Sequence, residues 1–128
     1  MLIREKDKQT LLQIFSVIDL TVEVWAYGSR VNGTAHNGSD LDLVIRSQNL
    51  NPLPLDIYAE LSEKIKESNI PVLVELRDWA MLPESFRRNI AQQYEVLFTN
   101  KQNILNEPPA DYKIERENTS DKDNKNKS

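Results

Sequence analysis

The chain has 128 residues and a mass of 14.8 kDa, enough for one domain with a packed core, with 39% apolar and 28% charged residues and a formal net charge of −4. It has no cysteine and a single histidine, which excludes disulfides, thiolate metal sites and multi-histidine zinc sites. No apolar run approaches the ~20 residues of a membrane span. The N-terminus turns charged at Arg4 without the apolar stretch of a signal peptide, so a soluble, cytoplasmic protein is the expectation.

The elements read in chain order as follows. Residues 4–17 place Leu11, Phe15 and Ile18 on one helical stripe. Val22, Val24 and Ala26 alternate with Glu23, Trp25 and Tyr27, the period of a strand. A short helix is expected over 30–35. Leu41, Leu43 and Ile45 alternate with Asp40, Asp42 and Val44 as a second strand. Ile57, Leu61 and Ile65 recur every four residues, so 55–68 reads as an amphipathic helix. Pro71 to Leu76 reads as a third strand, Glu84 to Gln92 as a helix opened by Pro83, and Glu95 to Phe98 as a short last strand. The order predicts an α/β (α+β) domain: a small mixed sheet of about four strands with helices packed on it.

Residues 1–100 read as this domain and 101–128 as a charged tail. The tail holds six Lys/Arg and six Asp/Glu, so the whole −4 lies in the body. An acidic body argues against a general nucleic-acid binder and is compatible with cation binding through carboxylates. The tail is too poor in apolar residues to offset its ordering entropy, and disorder is expected beyond about Glu107, where Pro108 and Pro109 break the chain. A short partner-docking helix around Tyr112 is the one alternative.

All three glycines fall between positions 28 and 38. Gly28-Ser29 follows the first strand directly, and free backbone N–H groups there suit an anion such as phosphate, with the Ser29 hydroxyl as a further donor. Asp40 and Asp42, two apart on a strand, share one face with Cα atoms about 6.6 Å apart, so both carboxylates can converge on one small cation. Two like charges so close call for a neutralising cation or solvent. Taken singly, a glycine-rich connection and a solvated D-x-D are ordinary features. Together they are the parts that phosphoryl transfer needs.

The string G-S-R-x-x-G-x-A-x-x-x-S-D-L-D-L from Gly28 to Leu43 resembles the signature of the DNA polymerase beta-like nucleotidyltransferase superfamily, in its minimal nucleotidyltransferase (MNT) branch. The likeness spans roughly residues 8–98 and continues through Val74-Glu75-Leu76-Arg77-Asp78-Trp79, Phe86 and Val96-Leu97-Phe98. The resemblance implies that Gly28 and Ser29 hold a nucleoside triphosphate and that Asp40 and Asp42 bind Mg2+. It implies a third carboxylate on the next long strand, normally an Asp in a V-D-hydrophobic-hydrophobic-D-W string. Glu75 stands there, a departure with one more methylene, which the resemblance implies as catalytic base and third metal ligand beside Asp40 and Asp42, and Asp78 is a weaker candidate for the same role. Arg30 is a candidate phosphate ligand or a structural arginine, and Ser39 a candidate nucleotide contact or turn cap. Trp25, Trp79, Phe86 and Phe98 read as core or partner surface, and His36 as an exposed loop residue.

What the resemblance implies for function is Mg-dependent transfer of AMP from ATP, with Glu75 taking the acceptor's proton. A domain this small leaves no room for a separate acceptor-binding domain. In the MNT branch the companion is a helical HEPN-domain toxin, modified on a tyrosine and silenced by its MNT antitoxin. Three alternatives stand beside this: a non-catalytic binding antitoxin, a small-molecule transferase completed by a helical partner, and a nucleic-acid end transferase. The acidic body disfavours the last.

Overall fold

A computed structural model describes residues 1–36 and 38–101. The expectations for the tail, including a helix around Tyr112, lie outside these residues.

Eight main elements follow the expected order: α1 (Glu5–Ser16), β1 (Val22–Tyr27), α2 (Ser29–Asn32), β2 (Leu41–Ser47), α3 (Leu55–Lys66), β3 (Val74–Asp78), α4 (Glu84–Gln92) and β4 (Tyr94–Thr99). Short 3-10 turns follow β2 and β3. The four strands form one mixed sheet in the order β3-β2-β1-β4. β1 is antiparallel to both of its neighbours, and β2 and β3, joined through α3, run parallel.

Strand alternation divides the side chains between two faces. Val22, Val24 and Ala26 of β1, Leu41, Leu43 and Ile45 of β2, Leu76 of β3 and Leu97 of β4 point to one face. There they meet Leu11 and Phe15 of α1 and Leu61 and Ile65 of α3 in a continuous apolar core. The stripes read from the sequence are thus the buried stripes.

The opposite face carries a second cluster that the alternation of Asp40, Asp42 and Val44 with leucines did not announce. Trp25, Tyr27, Val44, Trp79 and Ile90 are buried there beneath α4. The Trp25 ring stacks on Tyr94 with centroids 3.7 Å apart and meets Trp79 edge-on at 5.4 Å. The Arg46 guanidinium lies 4.1 Å from the centre of the Trp25 ring and 4.6 Å from that of Trp79. β2 is buried on both faces over Leu43–Ile45, as a central strand flanked by helices should be.

Element ends differ from the sequence reading for local reasons. α2 stops at Asn32 rather than Ala35, because Gly33 takes a left-handed φ of 89° and closes it, its N–H bonding to the Ser29 carbonyl. The third strand begins at Val74, not Pro71. Pro71 has no N–H to give a ladder, and pairing starts where β2 starts, with the Leu41 N–H on the Leu73 carbonyl at 2.8 Å and Leu41 opposite Val74. That register carries β3 on to Asp78, opposite Ile45.

Candidate functional site

The expected phosphate loop leaves the sheet at the end of β1. Gly28 takes φ 83° and ψ −155°, a backbone state that belongs essentially to glycine. The turn opens α2, where the Val31 and Asn32 N–H groups both bond to the Gly28 carbonyl at 2.9 Å. The first-turn N–H groups of a helix point out of its N-terminal end, here toward the end of β1 and Gly28.

A Cβ added at Gly28 would lie 2.6 Å from Asp42 Oδ2. The bare backbone of the loop is therefore packed against the carboxylate of β2, and the two expected halves of the site meet. Asp42 lies directly opposite Tyr27 on β1 and opposite Glu75 on β3. Because register partners project to the same side of a sheet, Tyr27, Asp42 and Glu75 form a row across three strands. The side chain of Asp42 is 25% exposed, so it is half-shielded rather than fully displayed. Asp40 precedes the strand and is exposed.

Burial pushes the Asp42 carboxyl above the usual aspartate range. The Arg77 guanidinium pulls it down, and the charges of Glu75 and Asp40 push it up again. Burial likewise raises the Tyr27 phenol above its ordinary value.

The sequence reading passed over Arg77. Its Nη1 lies 3.1 Å from Glu75 Oε1 and 3.9 Å from Asp42 Oδ1, and it donates to the Tyr27 hydroxyl at 3.2 Å. The signal was available: Glu75 and Arg77 are two apart on a strand and must share a face.

Arg30 and Ser39 build the loop between α2 and β2. Nε and Nη2 of Arg30 donate to the Ser39 carbonyl at 3.0 and 2.8 Å, and Nη1 donates to the Leu2 carbonyl at 2.7 Å. The Ser39 hydroxyl accepts the His36 N–H at 2.9 Å. Asp78 projects to the other face from Glu75, and its carboxylate accepts the Leu53 and Ala80 N–H groups at 2.8 and 3.1 Å. The structure thus separates Asp78 from Asp42 and sets Glu75 beside it. Trp25 and Trp79 belong to the buried cluster, as expected.

A cleft of about 390 Å³ opens beside Gly28, between β1, α2 and α4. Its walls include Tyr27, Phe86 and the carboxamides of Asn32, Asn89, Gln92 and Gln93, with no charged residue among them. Nothing in the sequence pattern pointed to this wall, because it is assembled from α2 and the end of α4.

Among the described residues no three His, Cys, Asp or Glu side chains are gathered as a metal-holding group. The donor chemistry at Asp40 and Asp42 nonetheless fits a hard divalent cation. The ligand atoms are carboxylate oxygens, and the burial and like charges that resist ionisation of Asp42 are what such an ion offsets.

The polymerase beta, nucleotidyltransferase family model matches residues 9–103. Over 104 residues the chain is 43% identical to the probable protein adenylyltransferase MntA of Haemophilus influenzae, a match covering 80% of this chain and 84% of that protein. A crystal structure of a toxin–antitoxin with AMP-PNP has a TM-score of 0.60 at 21% identity, with 75% of this chain and 76% of that chain covered. A mutant MntA–HpeT toxin–antitoxin structure gives 0.57 at 23% identity, with 78% and 76% covered. These two structures share the fold.

Proposed function

Because the chain belongs to the polymerase beta nucleotidyltransferase family, we propose that it is an antitoxin that transfers AMP from ATP to a tyrosine hydroxyl of a helical HEPN-domain toxin in the cytoplasm. The observation that carries this reading is the contact between the Gly28 backbone and the Asp42 carboxylate, with Glu75 alongside. It brings a turn suited to phosphate, a pair of carboxylates suited to a cation and a candidate base to one end of the sheet. The kinship with a probable protein adenylyltransferase supports a protein acceptor. The fold shared with toxin–antitoxin structures, one of them with AMP-PNP, supports both the nucleotide and the partner.

Gly28 and Ser29 receive the triphosphate, and Asp40 and Asp42 hold Mg2+. When bound, that ion neutralises phosphate charge and stabilises the oxygens that change partners at phosphorus. Arg30 and Ser39 fix the loop that carries Asp40, and their role toward the nucleotide is to hold that loop in place. Glu75 takes the proton of the acceptor hydroxyl. The acceptor oxygen bonds to the α-phosphorus, the bond from that phosphorus to the bridging oxygen breaks, and pyrophosphate leaves with its electron pair. The uncharged cleft of carboxamides and rings suits the nucleoside half of the substrate. Among the described residues no helix is long and apolar enough to cross a membrane.

The ion pair between Arg77 and Glu75 favours one second reading, an antitoxin that acts by binding without turnover. Intact-mass spectrometry of the cognate helical protein, incubated with this chain, ATP and Mg2+, tests both. A gain of about 329 Da per AMP, absent with Asp42→Asn, is the expected result. No added mass with full suppression of the toxin's effect on cell growth would favour binding alone. Neither effect would leave a small-molecule transferase as the better account.

A further inference from the structure

The row Tyr27–Asp42–Glu75 places three oxygen-bearing side chains on one face, and Arg77 reaches all three from β3. A single guanidinium nitrogen, Nη1, has Glu75 Oε1 at 3.1 Å, the Tyr27 hydroxyl at 3.2 Å and Asp42 Oδ1 at 3.9 Å. The side chain is 37% exposed, and its guanidinium carbon lies 5.8 Å from the centre of the Phe86 ring. One positive group thus sits among the oxygens that a divalent cation would have to approach.

We propose that Arg77 is a resident counter-ion of this site, which holds Asp42 and Glu75 together before a divalent cation arrives and competes with that cation for their oxygens. The inference rests on the nucleotidyltransferase reading of Asp40, Asp42 and Glu75. Three physical points support it. Asp42 and Glu75 are register partners on adjacent strands, so their charges repel at short range unless something positive lies between them. A guanidinium cannot shed its proton to make way, so it must move or keep repelling the cation. Its contacts here are one-nitrogen contacts to separate acceptors, not a paired fork on one carboxylate, and such contacts are the easier ones to break. Arg77 acts through Asp42 and Glu75 and is therefore a positioning residue, one that sets the cation concentration at which the site fills.

The test is Mn2+ binding to the full chain without nucleotide or partner, read by electron paramagnetic resonance of the free ion, with thermal melts to confirm folding. Arg77→Leu should bind Mn2+ about tenfold more tightly than the parent, the scale expected when one like charge is removed from beside a partly screened site. Arg77→Lys should fall between the two. If Arg77→Leu does not fold, Arg77→Gln removes the charge while keeping a donor toward Tyr27, and should shift binding in the same direction. Unchanged or weaker Mn2+ binding in the folded, charge-free variant would overturn the proposal. Asp42→Asn separates this failure from that of the underlying reading. If it abolishes Mn2+ binding while Arg77→Leu changes nothing, the site stands and the counter-ion role falls. If it leaves Mn2+ binding unchanged in both the parent and the Arg77→Leu chain, the site assignment itself falls.

Discussion

The four strands present two different interiors. Toward α1 and α3 they offer leucine, isoleucine, valine and alanine, and Leu11, Phe15, Leu41, Leu43 and Ile45 are completely buried. Toward α4 they offer tryptophan, tyrosine, arginine and carboxylates, with Val44 the one aliphatic strand residue buried among them. α4 is a nine-residue helix with one fully buried side chain, Ile90, so it covers the second face incompletely. The cleft beside Gly28 opens along its flank. The contrast suits a small domain in which one face carries most of the apolar packing and the other carries the charged groups. One face supplies the packed apolar area that holds the sheet, which frees the other to keep polar groups in a half-open setting where their charges can act.

If the two faces are separable, damage to the first should lower stability without altering the site. Leu11→Ala removes a completely buried side chain on α1, far from the carboxylates in the layering of the fold. It should cost about 2–5 kcal/mol in urea unfolding, from lost burial and the cavity left behind. Mn2+ affinity of the folded fraction should match the parent. A weakened affinity would show that the apolar face also holds the carboxylates in place.

Gly28→Ala strikes the seam between the loop and the second face. Its backbone state is strained for any residue with a Cβ, which should cost about 1–3 kcal/mol. The new methyl would also displace the Asp42 carboxylate, whose Oδ2 lies 2.6 Å from the Cβ position. AMP transfer should therefore fall about a hundredfold, the effect of moving a reacting group by roughly an ångström. Transfer assays at a temperature where the variant is fully folded check this. A rate that follows only the folded fraction would mean that the Gly28–Asp42 contact is incidental.

Much of this arrangement was legible in the sequence, because period and spacing are backbone properties. The leucine alternation of β2 fixes which side Asp42 takes, and the Gly28-Ser29 turn after β1 fixes where the loop leaves the sheet. Glu75 could be aligned with Asp42 by resemblance, and the parallel register places them side by side. Less legible were features created by pairing between distant segments. Arg77 becomes an ion-pair partner through its position beside β2, and Arg30 is occupied by carbonyls at Leu2 and Ser39 that no local pattern connects to it. Pro71 marked the wrong strand start because the ladder is set by where β2 begins. The aromatic layer of Trp25, Trp79 and Tyr94 was hidden because each residue sits in a different element.

The smallest expected effect sharpens the comparison most, because its sign is opposite to that of a core substitution. Burial, with Glu75 and Asp40 adding to it and Arg77 opposing, raises the Asp42 pKa in the folded chain above its unfolded value, about 3.9 for an aspartate. In the window between the two values the folded chain binds more protons than the unfolded one. The contribution of Asp42 to stability is therefore full below the unfolded pKa and is lost as pH rises through the folded one. At pH 7 the ionised carboxylate works against the fold. Asp42→Asn removes that charge in a side chain of nearly the same shape, so it should raise Tm at pH 7 by about 1–3 °C, the size of a screened, fractional kcal/mol effect in a domain of this length. The gain should shrink toward zero as pH falls below the ordinary aspartate range. Saturating Mg2+ should reverse the order, since an ion bound only to the folded parent stabilises it and leaves the variant where it was. A lower Tm for Asp42→Asn at pH 7, or a gap that widens on acidification, would place Asp42 with the groups that hold the sheet together.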